Sequence, residues 1–231
     1  MKIKLPIPNI SLYIIFVAVL SILIISQAGA TEFAIPMDYE YSQGTEPAAS
    51  SPWAAATFVY KSPNTVTLSL SAVNLVGSEF ISVWLFNFDP ILDPDLLSFT
   101  AVSTTDAGPT SINTGADSFK AGPSKYYDIE FSFPSSNGRS SNRFTGGESL
   151  MYDITYTGDG TFNEYSFNFE NSSDGIDTRY HSAMHVQSID PGGKSGWVGN
   201  TNVAIVPEPV SSILFLSGCA VFGIRRYQKK R

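Results

Sequence analysis

Residues 125–133 read KYYDIEFSF. Tyr127, Ile129, Phe131 and Phe133 fall on one side, and Tyr126, Asp128, Glu130 and Ser132 on the other. A period of two is the pattern of a strand with one buried and one solvated face. TVTLSLSA (65–72) repeats it with Val66, Leu68, Leu70 and Ala72, and ESLMYDITY (148–156) with Leu150, Tyr152, Ile154 and Tyr156. FISVWLFNF (80–88) is apolar on both faces, which predicts a central strand with Trp84 in the core.

Working outward, shorter β-type runs recur: ATFVYK (56–61), LLSFTAVS (96–103), YSFNF (165–169), RYHSAMHVQSI (179–189) and TNVAIV (201–206). Turn residues separate them, among them Pro63-Asn64, Asp89-Pro90, Asn137-Gly138, Gly146-Gly147, Asp174-Gly175 and Pro191-Gly192-Gly193. Residues 37–52 and 106–123 read as irregular loops. Eight to ten short strands at this spacing predict an all-β fold, a single antiparallel β-sandwich of jelly-roll or cohesin-like type over residues 31–206. That body contains no cysteine, since the single one is Cys219. Its stability must come from a hydrophobic core rather than a disulfide framework.

The two ends have a different composition. Residues 1–30 carry Lys2 and Lys4, then an apolar run over 10–25, then Ala28-Gly29-Ala30. That order predicts a secretory signal peptide cut after Ala30 by signal peptidase. Residues 210–224 form a second apolar run. As a helix it would reach about 22 Å, against a hydrocarbon core of about 30 Å. Pro207 and Pro209 block its extension backwards. Arg225, Arg226, Lys229, Lys230 and Arg231 follow it, and such charge stays on the cytoplasmic side. The expected precursor therefore spans once, body outside.

Between the ends, residues 31–206 hold twenty acidic and seven basic side chains, about −13 with histidine neutral. A body of that charge repels phosphate backbones, which excludes nucleic acid as a partner.

Pro207-Glu208-Pro209, the short apolar span and the basic tail together resemble a PEP-CTERM sorting signal. The resemblance implies export in a Gram-negative-type bacterium and an inner-membrane-anchored precursor. It further implies cleavage near Pro207-Glu208-Pro209 by an exosortase, with delivery of the body to the cell surface or extracellular matrix, often alongside exopolysaccharide. An ordinary single-pass anchor is the alternative reading of the same residues. Residues 66–102 are similar to cohesin-like and carbohydrate-binding-like sandwiches, departing from a cohesin by the inserted Ile91-Leu92-Asp93-Pro94.

Candidate chemistry in the body is sparse. His181 and His185 could share a metal on a helix, but on the strand predicted here they stand about 13 Å apart. Asp128 and Glu130 share a face and Asp153 lies on another strand, so paired-carboxylate chemistry competes with a solvated acidic face. Asp89, Asp93 and Asp95 crowd one loop, as do Asp174 and Asp177, and hard oxygen ligands of this kind suit calcium. The competing reading is aspartates that cap turns. Trp197 lies between glycines in GGKSGWVG (192–199), which suggests an exposed loop indole able to stack on a sugar ring with help from Tyr126. No serine nucleophile elbow, phosphate loop or cysteine nucleophile is present. The resulting expectation is a non-enzymatic exported surface or matrix protein without a cofactor. The alternative is a carbohydrate- or protein-binding module, cohesin-like and calcium-stabilised.

Overall fold

A computed structural model of the chain describes residues 31–104, 108–122, 125–136, 142–173 and 178–206. Those residues are all-β, with two short 3-10 turns and no α-helix among them. The first sheet is built from β1 (Glu32–Met37), β3 (Ala54–Ser62), β4 (Thr65–Ser71), β6 (Leu97–Thr104), β10 (Ser149–Tyr156) and β14 (Ala204–Val206). Its spatial order is β14-β1-β3-β4-β10-β6, antiparallel throughout.

The second sheet contains β2 (Tyr39–Glu40), β5 (Phe80–Phe86), β8 (Lys125–Ser132), β11 (Ser172–Ser173), β12 (Ser182–Ile189) and β13 (Lys194–Gly199). Their order is β11-β8-β5-β12-β13-β2; β7 (Ser111–Ala121) pairs with β8, and β9 (Phe144–Thr145) with β5. The described residues form fourteen strands, more than the eight to ten expected, and ten of them are six residues or longer.

Alternation places the core. Val66, Leu68 and Leu70 of β4, with Leu150, Tyr152 and Ile154 of β10, are buried and face the second sheet. There they meet Ile81, Trp84 and Phe86 of β5, Ile129 and Phe131 of β8, and Met184 and Val186 of β12. Aromatic rings tie the layers together. Phe58 of β3 meets Phe86 edge-on at 5.6 Å, and Phe131 meets Phe99 and Tyr152 at 5.5 and 5.7 Å. Such edge-to-face pairs add to the burial of the rings themselves.

β5 is central, between β8 and β12, and both its faces are covered. A register shift opposite His185 and Val186 leaves Ile81, Trp84 and Phe86 in the main core. Leu85 joins Ala121, Tyr127 and Ala183 in a second cluster, against which Tyr41, Val83, Phe119 and Trp197 pack. The far end of the β7–β8 hairpin supplies three of those residues, so it lies over the face of β5 that the first sheet does not cover. Trp84 is fully buried and its indole nitrogen donates to the Ser182 hydroxyl at 2.9 Å.

Three expectations are corrected. Residues 111–121, read as loop, form the longest strand, because SINTGADSFKA lacks apolar alternation but pairs with β8 along its length. Between Thr114 and Phe119 four residues stand against the single Asp128 of β8, and that excess of three hides the period. YSFNF is no strand: Glu164–Phe167 form a 3-10 turn with an Asn163/Ser166 capping box. That turn drives Phe167 inward to stack on Phe58 at 4.1 Å. GGKSGWVG is not wholly a loop, since Lys194–Gly199 pair with β12 as β13. Gly146-Gly147 does turn the chain, and a Cβ at Gly146 would lie 1.9 Å from the Leu75 carbonyl oxygen.

Candidate functional site

Where β5 ends, Asn87 is pulled inward. Its side-chain amide donates to the Tyr180 and His181 carbonyls at 3.0 and 3.1 Å. The chain then passes Phe88 and Asp89, and with the bulge of β7 and the segment before β11 it borders a cleft of about 290 Å³. Asp89, Asp117, Asp128 and Glu170 give the cleft its acidic character; Phe88, Leu92 and Phe169 give it an apolar side. Asp128 holds the assembly together, accepting from the Phe88 and Asp117 backbone amides at 2.8 Å each. Burial raises its carboxyl above the ordinary aspartate value, while those two amides oppose the shift. Asp117 takes a left-handed φ of 49° in the bulge and accepts from the Ser172 hydroxyl. The rim can accept hydrogen bonds from hydroxyl or ammonium groups.

The structure separates the carboxylates that the sequence grouped. Glu130 accepts from Asn113 and Ser132 on the second sheet. Asp153 lies on the first sheet, where Lys61 at 2.5 Å and Thr67 at 2.9 Å hold it. The Lys61 ammonium keeps Asp153 below the usual carboxylate range. In the loop after β5, Asp89 accepts from Ile91 N, Asp93 from Asp95 N, and Asp95 from the Thr114 hydroxyl, each at 3.0 Å. Each thus has a local bonding task of its own. Asp174 and Asp177 lie outside the described residues, as do Ala28, Ala30, Pro207, Glu208, Pro209, Arg225, Arg226, Lys229, Lys230 and Arg231. Among the described residues, no group of three or more His, Cys, Asp or Glu is placed to hold a metal ion.

His185 sits on β12 and His181 just before it. His185 stacks on Trp197 at 4.8 Å, with Nδ1 3.1 Å from the Ser82 hydroxyl. His181 Nδ1 lies 3.3 Å from the Asn200 amide. Burial lowers the pKa of both imidazoles. Trp197 is half-buried against the second cluster, and it is not brought beside Tyr126. Across β12 and β5, Trp197 is level with Ser132 of β8. Tyr126 lies six residues further along, roughly 20 Å of strand, under the Lys120 ammonium at 5.1 Å.

Sequence reasoning missed the group around Lys125. This lysine is buried, donates to the Thr178 carbonyl at 2.6 Å, and lies 5.5 and 5.2 Å from the ring centres of Tyr41 and Tyr180. Those rings stack at 4.6 Å. Beside them Tyr127 is buried, and burial raises both its phenol and that of Tyr41. The signal was present: Lys125 is in phase with Tyr127 and Ile129 on the inward side of KYYDIEFSF.

No protein-family model, curated protein or solved structure matches the chain.

Proposed function

We propose that this is a non-enzymatic exported protein, carried to the cell surface or extracellular matrix by a PEP-CTERM-type tail. The observation that carries the reading is the order of parts at the C-terminus: Pro207-Glu208-Pro209, a span of fifteen apolar-rich residues, then five basic residues in the last seven. A span that short makes a poor permanent anchor. As a temporary one it would hold the Pro-Glu-Pro at the membrane face for an exosortase, after signal peptidase has cut behind Ala30. Partnership with exopolysaccharide belongs to the same reading. The body supports it in kind: it is acidic and free of cysteine. Asp89, Asp93 and Asp128 each accept from a backbone amide, and Asp153 pairs with Lys61.

The test is removal of the exosortase from a host that otherwise processes the full-length chain. Without it the product should gain about the mass of residues 207–231 and stay in the membrane fraction. An unchanged mass and location would sink the reading.

A second reading, a cohesin-like or jelly-roll module that binds carbohydrate, draws on the cleft beside Asp89, Asp117 and Glu170. Sugar hydroxyls are suitable donors for that rim. Saturable oligosaccharide binding, lost in Asp117→Ala, would support it, and retention of binding in that variant would remove it.

A further inference from the structure

Among the described residues two carboxylates are buried, Glu79 at 2% exposure and Glu164 at 3%. Glu79 is well served, accepting from the Ala48 and Val76 backbone amides at 2.7 and 2.9 Å. Glu164 is not. Among the described residues its one hydrogen bond comes from the Thr31 hydroxyl, and no basic side chain lies within ion-pair distance of it. One neutral donor compensates a buried carboxylate poorly.

Both ends of that contact are held in place. Glu164 opens the 3-10 turn fixed by the Asn163/Ser166 capping box. The turn is pinned from both sides: Phe167 stacks on Phe58 of β3 at 4.1 Å, and the Tyr165 ring lies 6.4 Å from Phe33 of β1. Thr31 immediately precedes β1, where Glu32 pairs with Val59 of β3 and with Val206 of β14. Alternation sets Thr31 on the side of the buried Phe33 and Glu32 on the opposite side.

Thr31 is also the residue that a cut behind Ala30 would leave first in the chain. Its backbone nitrogen, a neutral amide before the cut, would become an α-ammonium at neutral pH. That nitrogen is three bonds from the hydroxyl oxygen bonded to Glu164, so the two charges would start within about 7 Å of one another. Rotation of the terminal residue can close the remaining gap, because no residue then precedes it.

We propose that Glu164 is the receptor for the α-ammonium created at Thr31, and that the pair locks the start of β1 to the 3-10 turn. The pair rests on the reading of residues 1–30 as a cleaved signal peptide. Before the cut the buried carboxylate has only a hydroxyl for company, and the body is the less stable for it. After the cut the charge is matched, so the fold is tightest only once export has been completed. Glu32, on the opposite side of the strand, does not take this role.

The experiment follows the chain exported under its own signal peptide and extracted, tail included, in mild detergent. Intact mass reads its first residue. The natural chain and Glu164→Gln are each compared with a form carrying two serines inserted between Ala30 and Thr31, which moves the ammonium away from the carboxylate. The insertion should lower the unfolding midpoint of the natural chain by about 5 °C or more, and that of Glu164→Gln by less than about 1 °C. An amine-reactive ester should acylate the α-amino group of the natural chain roughly ten-fold more slowly than that of the inserted chain. This second measurement needs no Glu164 variant, and so decides the matter if the glutamine form does not fold. An insertion that acts equally on both chains or on neither, or equal acylation rates, would overturn the proposal. A natural chain that starts at any residue but Thr31 would remove the cleavage reading and the pair together. The mass separates that failure from a cut that occurs without a pair.

Discussion

The two sheets bury their residues by different rules. In the first sheet one face meets the core and the other carries Thr57, Thr65, Thr67, Ser69, Ser71 and Thr155, none of them buried. In the second, the middle strand is covered on both faces, its register shifts at Val83, and a lysine and three tyrosines are packed against its outer side. Solvent on one face enforces strict alternation; cover on both faces removes that constraint, and packing decides each position separately. Stability in this molecule should therefore be concentrated in the second sheet.

The largest test of that difference is Trp84→Ala. The indole is fully buried, stacked near Phe86 at 5.9 Å and bonded to Ser182, so removal should cost about 4 kcal/mol by urea unfolding. A loss under about 1 kcal/mol would mean the centre of the second sheet is not where the stability resides. Next comes Lys125→Ala, which removes a buried stem and its bond to the Thr178 carbonyl. About 2 kcal/mol should be lost, with a change in tyrosine fluorescence from Tyr41 and Tyr180. If the substitution proves neutral, the outer cluster is only a surface feature.

A pH series sharpens the contrast further. The folded-state pKa of His181 and His185 is lowered by burial. The folded state thus binds the proton less readily than the unfolded chain. Their contribution is intact above the unfolded value of about 6.5 and is lost as pH falls below it, until the lowered folded value has been passed. Asp128, raised by burial, has the opposite sign and acts at more acidic pH. His185→Gln should flatten the unfolding midpoint between pH 7 and 5; a midpoint that still falls with the wild-type slope would assign the effect elsewhere. The smallest expected change is Lys61→Ala on the first sheet. Lys61 is half exposed, and loss of its pair with Asp153 should shift stability by no more than about 0.5 kcal/mol. A drop above about 1.5 kcal/mol would erase the distinction between the outer faces.

The same contrast explains what could be read in advance. β4, β8 and β10 follow from their alternation, and β5 from its two-sided apolarity. β7 was hidden because neither of its faces is continuously apolar and an excess of three residues between Thr114 and Phe119 breaks the period. β13 was obscured by glycines, which pair through the backbone as well as any residue. YSFNF carried the composition of a strand, but the Asn163/Ser166 cap wound it into a turn. Among candidate site residues, Trp84 as core was legible from FISVWLFNF. That Asp128 bridges Phe88 to Asp117 was not, because the three come together only across two strands and a bulge. The separation of Asp153 from Asp128 and Glu130 was equally invisible, since alternation assigns a face without naming the sheet.

The amino-acid order by itself determined the class of fold, the faces of the regular strands and the acidic balance of the body. Each depends on local spacing or on composition, which no partner can alter. Tertiary structure alone decided which strands lie at the margins, how a lysine comes to rest among tyrosines, and which carboxylates meet. Those depend on contacts between residues far apart in the chain, where the free energy of packing and of satisfied hydrogen bonds outweighs local preference.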